Sequence, residues 1–259
     1  EVPLRFEASG LGELVVERLG LERREVDLKE WSDLVTTIKA PTRSCRIGVV
    51  GKYTSNGDAY KSINEALIHG GIPSDAQVDL VWIESDSLES GKPPSETLKD
   101  LDGLVVAPGF GERGIEGKIE AVRYAREKGL PFLGICLGMQ MAVIEYARTI
   151  CGLEGANSEE VVAENPYPVI HLLPDQHGVK DKGATMRLGA WKCNIVAGTL
   201  AHKLYGKSKI SERHRHRYEV NNDFRELLSE KGLVISGVSP DYRLVEMVEI
   251  PDHPFFIGT

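Results

Sequence analysis

The sequence has no apolar run long enough to cross a bilayer. Its first residues, Glu1-Val2-Pro3-Leu4-Arg5-Phe6-Glu7, have no signal-peptide layout. There is no internal repeat and no low-complexity tract. Cysteine is scarce: Cys45, Cys136, Cys151 and Cys193 stand alone among 259 residues, with no C-x-x-C spacing. Four cannot staple a chain this size, so reduced thiols and a cytoplasmic location are expected. Basic side chains are also the minority, 31 against 39 acidic ones, for a net charge of −8. That balance argues against nucleic acid and anionic membrane as partners. What is present, 41% hydrophobic and 27% charged residues, is ordinary for a soluble globular protein. The length suits one large α/β domain with an appendage.

Residues 1–43 differ from the rest. Helical spacing of apolar residues over 10–21 and again over 28–38 predicts two helices, the second closed by Ala40-Pro41. A short linker, Pro41-Thr42-Arg43-Ser44, leads into the buried strand Cys45-Arg46-Ile47-Gly48-Val49-Val50. From there strand and helix alternate. Helix is expected over 62–69, 115–127 and 139–150, and strand over 78–83, 101–107 and 130–133. Strands this apolar predict a mostly parallel, twisted sheet with helices on both faces. The stretch 152–182 is polar and carries Pro166, Pro168 and Pro174, which suits a mobile loop or lid. The last third reads as strands near 185–188, 213–220, 233–238 and 244–250 with short helices between.

Chemistry concentrates at Gly134-Ile135-Cys136-Leu137-Gly138. A cysteine flanked by glycines where a strand turns into a helix is the sulfur form of the G-x-S-x-G nucleophile elbow. The helix N-terminus there favours thiolate, and the Leu137 N–H can help hold an oxyanion. The alternative is a buried structural cysteine. A second loaded strand end is Pro108-Gly109-Phe110-Gly111-Glu112-Arg113-Gly114, a glycine-rich turn able to aim N–H groups at the same oxyanion, or a plain left-handed loop. Along Glu212-Arg213-His214-Arg215-His216-Arg217-Tyr218-Glu219-Val220, arginines and histidines alternate. As a strand it has one guanidinium face and one imidazole face. It suits the gripping of a carboxylate or phosphate, or else a solvated edge. No third histidine or carboxylate sits at ligand spacing, so no metal site is expected. Gly48-Val49-Val50-Gly51-Lys52-Tyr53-Thr54 fails as a P-loop, with Arg46 where glycine is needed and Tyr53 after the lysine. Cys151 and Cys193 are expected in packing, and His253, between prolines, in a turn.

Together these blocks resemble the class I (triad) glutamine amidotransferases, and more narrowly the glutaminase domain of the CTP synthase family. The broad resemblance rests on Gly134-Ile135-Cys136-Leu137-Gly138-Met139-Gln140. The narrow one rests on four blocks: the stretch from Ala107 to Lys118, Ala156-Asn157-Ser158-Glu159-Glu160, the stretch from Gly183 to Gly189, and Glu212 through Asn222. It implies a flavodoxin-like three-layer α/β fold over 44–259, with 1–43 as the end of an amidoligase domain and its linker. It also implies that Cys136 attacks the side-chain amide of L-glutamine, with Gly109 and Leu137 forming the oxyanion hole. Gln140, Glu160 and Arg217 would hold the amino-acid end, and Phe110 and Arg113 would contact a GTP activator. Ammonia would pass to the parent's amidoligase domain, where ATP and Mg2+ activate UTP for conversion to CTP in a homotetramer. No cofactor or metal is implied within this chain.

The family's triad ends in a histidine and a glutamate in a segment that would follow Thr259. None of the seven histidines here matches that position, and the chain starts without methionine. The expectation is a fragment cut at both ends that lacks its general base. Pro108 also departs from a glycine common in relatives. Three readings stay open beside the leading one: the glutaminase part of another synthetase, a non-catalytic module on the same fold, and a stand-alone cysteine hydrolase.

Overall fold

The computed structural model of the chain describes residues 1–56, 58–89, 93–173 and 186–259, which fall into two units. The first holds residues 1–45 and 60–79, the second 46–59 and 80–259. In the first unit, helices α1 (Val2–Ala8), α2 (Leu11–Arg18), α3 (Lys29–Lys39) and α4 (Lys61–Gly71) follow one another. Helix α1 was not expected from periodicity. It starts on Pro3 in its first turn and is parted from α2 by Gly10 at φ 73°. No residue of α1, α2 or α3 is buried.

The strands are β1 (Arg43–Gly51), β2 (Ala76–Glu84), β3 (Gly103–Val106), β4 (Phe132–Gly134), β5 (Asn157–Ser158) and β6 (Pro168–Leu172). They continue with β7 (Arg187–Ile195), β8 (Lys209–His216), β9 (Tyr218–Val220), β10 (Val234–Val238), β11 (Val245–Glu249) and β12 (Phe256–Gly258). Further helices among the described residues are α5 (Pro94–Leu98), α6 (Ile115–Lys128), α7 (Leu137–Thr149), α8 (Leu200–Tyr205) and α9 (Arg225–Glu230).

One sheet runs in the order β2-β1-β3-β4-β12-β11-β10-β7-β8. The expected α/β class is found. Pairs β1–β3, β3–β4 and β4–β12 are parallel, and this is the part that carries Cys136. From β12 outward, β11, β10, β7 and β8 pair antiparallel. The connections explain the split. Parallel neighbours need a crossover such as α6, whereas the short link between β10 and β11 permits only a hairpin.

Helix α7 is buried at every position from Leu137 to Ala147. A helix apolar all round must be covered on both sides. One cover is the large sheet, through β3, β4 and β12; the other is a small sheet, β5-β6-β9. This corrects the reading of 152–182 as loop. Within it, β5 and β6 are strands, and Ala156, Val169 and Ile170 are fully buried. The core demand of α7 overrides the polar, proline-rich composition. Residues 174–182 of the expected lid, and 183–185 of the block before Met186, lie outside the described residues. The single strand expected over 213–220 is also divided. It breaks at Arg217, whose carbonyl accepts the Leu173 N–H at 3.1 Å, and β8 and β9 join different sheets.

At the junction of β4 and α7, Cys136 has φ 55° and ψ −106°. A non-glycine residue held at positive φ stores about 1–3 kcal/mol of strain. The flanking glycines are required by space. A Cβ on Gly138 would lie 2.1 Å from the Val106 carbonyl oxygen, and one on Gly134 would lie 2.7 Å from the Gly138 carbonyl. For Gly138→Ala, helix propensity alone favours alanine by about 1 kcal/mol, but overpacking against backbone costs about 1–3 kcal/mol. The urea midpoint should therefore fall. A rise would mean that α7 can move away from β3.

Candidate active site

Cys136 stands where three segments meet. Its N–H donates to Thr259 O at 2.7 Å, while the Ile135 N–H donates to Val106 O at 3.0 Å. The elbow is thus tied to β3 on one side and to the end of β12 on the other. A cavity of about 500 Å³ opens beside the thiol, lined by Gly109, Phe110, Gly111, Glu112, Cys136, Gln140, Glu160, Met186, His216, Arg217 and Tyr218. Six of the eight residues singled out from the sequence line it. Leu137 has its side chain in the core and contributes its N–H beside the thiol. Arg113 is not among the lining residues. It donates to Lys52 O, lies 3.5 Å from Asp86 and 4.0 Å from Glu84, and stacks 5.2 Å from the centre of the Tyr53 ring.

Across the cavity, Glu160 Oε1 accepts the Gly111 N–H at 2.8 Å, and the Glu160 N–H is held by Ser158 Oγ at 3.1 Å. Gln140 Nε2 donates to Tyr218 O at 3.0 Å. The small sheet under α7 is therefore what brings Glu160, Arg217 and Tyr218 to the Cys136 thiol. Phe110 is half exposed, with the Arg215 guanidinium 5.9 Å from its ring centre.

The thiol is not the ready thiolate expected from the helix N-terminus alone. Burial pushes it up to about 11; the Leu137 N–H and the Lys118 ammonium oppose this, while Glu219 and Glu160 add to it. Burial of the sulfur outweighs the helix N-terminus, and the two carboxylates add to the shift. Near neutral pH the group is a thiol, and attack needs a base.

Several residues of the site were not recognised in the sequence. Lys52, rejected as part of a P-loop, is 3% exposed and donates to Phe110 O at 2.7 Å and Gly111 O at 2.5 Å. Its position at the carboxyl end of an apolar strand was the available signal. Lys118 is wholly buried and donates to Ala107 O at 2.7 Å. It shares the inward face of α6 with Ile115, Ile119 and Val122, a phase readable from spacing.

Behind the thiol, a cavity of about 150 Å³ is lined by Cys136, Thr259 and the inward face of β8, among others. The expected alternation of β8 holds: its histidines point in and its arginines out. His214 Nε2 meets Glu246 at 2.8 Å, His216 Nδ1 meets Glu219 at 3.1 Å, and Arg187 bridges both carboxylates at 3.1 Å and 2.5 Å. Away from the site, His253 accepts the Phe255 N–H at 3.2 Å and meets Ala125 O at 3.0 Å, a turn role as expected. Cys193 is buried, and no disulfide occurs among the described residues. No metal-ligating cluster occurs among the described residues, and no described helix is long and apolar enough to cross a membrane.

A cysteine elbow at the carboxyl ends of parallel strands is faced here by a glycine loop, a carboxylate and a guanidinium. Residues 57–259 match the family model described as Glutamine amidotransferase class-I. Over 259 residues the chain is 53% identical to a CTP synthase of Carboxydothermus hydrogenoformans, covering 100% of this chain and 48% of that protein. It is 53% identical over 266 residues to one from Methanocaldococcus jannaschii, covering 100% and 49%. The chain spans about half the length of these curated relatives. Among solved structures, the glutaminase domain of Trypanosoma brucei CTPS with bound acivicin superposes with a TM-score of 0.77 at 37% identity, covering 83% of this chain and 84% of that one. The chain belongs to the class-I glutamine amidotransferase family, and within it to the glutaminase domains of CTP synthases.

The ionic cluster behind the thiol makes a pH-dependent contribution to stability. For Glu246, desolvation raises the carboxyl, but hydrogen bonds from His214 and Arg187 outweigh it, and the net shift is below 4.5. For His214, desolvation lowers the imidazole, but Glu246 outweighs it, and the net shift is above 6.5. The Glu246 contribution is present above its unfolded value and lost as pH falls through the folded one; that of His214 is present below 6.5 and lost as pH rises. Glu246→Ala should cost about 3–5 kcal/mol, since it leaves Arg187 buried beside one carboxylate fewer. The difference from wild type, measured by urea unfolding, should be largest between pH 4.5 and 6.5. A difference flat with pH would contradict the pairing.

Proposed function

We propose that Cys136 hydrolyses the side-chain amide of L-glutamine and that the ammonia feeds an amidoligase half of the parent protein. The observation that carries this reading is the cavity itself. One wall holds the thiol at a helix N-terminus, and the others hold Glu160 and Arg217. A free α-amino acid presents one cation and one carboxylate, and those two side chains are its complements. Gln140 completes the amino-acid end. The Gly109 and Leu137 N–H groups are assigned to the amide oxygen as it becomes negative.

The reaction runs in two acyl transfers. Once its proton is removed, the Cys136 sulfur forms a bond to the amide carbon, and the electron pair moves to the oxygen held by the two N–H groups. The C–N bond then breaks, nitrogen leaves as ammonia after taking a proton, and a glutamyl thioester remains. Water adds to that carbonyl, the C–S bond breaks, and glutamate departs. The family resemblance assigns the proton transfers to a histidine–glutamate pair. His216 lines both cavities at Cys136, but neither it nor any other histidine here matches the position of that pair.

The names of the relatives, and their twofold greater length, support the wider assignment. Residues 1–43 are read as the tail of the amidoligase half and its linker, and 44–259 as the glutaminase domain. The parent uses ATP with Mg2+ to aminate UTP to CTP, assembles as a homotetramer and works in the cytoplasm. GTP acts as activator, with Phe110 and Arg113 its assigned contacts.

The test is covalent labelling. Acivicin, an amino acid with an electrophilic ring, should add once per chain, at the Cys136 peptide, as read by mass spectrometry. L-glutamine should protect and L-asparagine should not. Cys136→Ser should abolish labelling, while Arg217→Met and Glu160→Gln should slow it at least tenfold with the fold intact, about the 1.4 kcal/mol of one lost charged hydrogen bond. Equal labelling of Cys45 or Cys151, or no protection by glutamine, would reject the reading.

A further inference from the structure

Beneath the glycine loop that faces Cys136 lies a cation without an anion. The Lys118 side chain is 0% exposed, and its one described hydrogen bond is to a neutral acceptor, Ala107 O, at 2.7 Å. The charged and titratable groups that act on it are Lys52, of like sign, and the Cys136 thiol. A lone buried ammonium is unfavourable by several kcal/mol unless a negative charge is near. Buried guanidiniums elsewhere in this unit do meet carboxylates: Arg187 meets Glu219 and Glu246, and Arg126 meets Glu145.

Its position makes the exception informative. A Cβ placed on Gly109 would lie 3.6 Å from Lys118 Nζ and 3.4 Å from the Leu137 side chain. The ammonium is therefore packed under the same loop residue that is assigned to bind the oxyanion. Its hydrogen bond to the carbonyl of Ala107 anchors it two residues before Gly109. Negative charge forms at this place twice in the cycle, first on sulfur and then on the amide oxygen.

We propose that Lys118 is a positioning residue whose buried ammonium supplies the counter-charge for the Cys136 thiolate and for the oxyanion held at Gly109. This rests on Cys136 being the nucleophile. The ammonium holds the 107–109 loop in place and, in the same contact, lowers the energy of the charged states. Burial and Lys52 pull the amine down to about 7, and the thiol works in the opposite direction. The two titrations are thus coupled. Glu219 and Glu160, which face the thiol, oppose its ionisation, so the lysine is the cation that offsets them.

Coupling leaves a signature that a structural lysine would not. The rate of Cys136 alkylation by iodoacetamide, a small uncharged probe, is followed peptide by peptide from pH 5.5 to 10. In the wild-type chain the rate should rise tenfold per pH unit below neutrality and then flatten just above it. There, loss of the lysine proton cancels the gain in thiolate. In Lys118→Met the rate should climb without a break and be roughly tenfold lower at pH 7, the low end of the effect of an adjacent opposite charge. The wild-type inflection needs no variant and stands if Lys118→Met fails to fold. An unbroken wild-type profile, or a profile and rate unchanged in Lys118→Met, would overturn the proposal while leaving Cys136 as nucleophile. A Cys136 unreactive throughout would overturn both.

Discussion

The Val106 carbonyl oxygen lies 2.1 Å from where the side chain of Gly138 would begin, and the site depends on that approach. It brings the first turn of α7 against the end of β3. The loop leaving β3 and the thiol entering α7 are then forced to face each other. Any side chain at Gly138 would part them. Two residues earlier, Cys136 is held at positive φ. Thr259 O and Val106 O accept the N–H groups on either side of the elbow, which fixes it between two strands distant in sequence.

That geometry places the thiol where charge is disfavoured. Burial and two carboxylates hold it protonated, against the helix N-terminus. A resting thiol is consistent with a site that should act only when substrate and base are in place. The positive groups are arranged to match: Lys52 holds the carbonyls of Phe110 and Gly111, and Lys118 holds that of Ala107. In a trans peptide the N–H points away from its C=O, so the two carbonyls held by Lys52 turn the Gly111 and Glu112 N–H groups the other way; the Ala107 peptide ends on Pro108 and has no N–H. The Gly111 N–H already meets Glu160.

The elbow, the parallel strands and helices α6 and α7 were legible because each leaves a local mark: flanking glycines, an unbroken apolar run, a period of 3.6 closed by Gly129. So was the face alternation of β8. What was not legible depends on partners far away in the chain. Residues 157–158 and 168–172 read as loop because their reason to be strand is α7, whose outer face they cover. Arg217 read as mid-strand, but the break that turns it into the cavity is made by Leu173. The thiol was expected as thiolate because the dipole is local, whereas Glu219 and Glu160 reach it only through the fold. Lys118 was visible on the inward face of its helix, yet spacing alone does not reveal what it lies beneath.

The central claim is that one cavity holds both the reacting thiol and the complements of a glutamine zwitterion. A crystal structure of the acivicin adduct tests it most directly. The expected density shows a bond to Cys136 Sγ, with the adduct's carboxylate at Arg217, its ammonium at Glu160, and its ring heteroatom facing the Gly109 and Leu137 N–H groups. An adduct at Cys136 whose amino-acid end points away from Glu160 and Arg217, or no density at that sulfur, would contradict it.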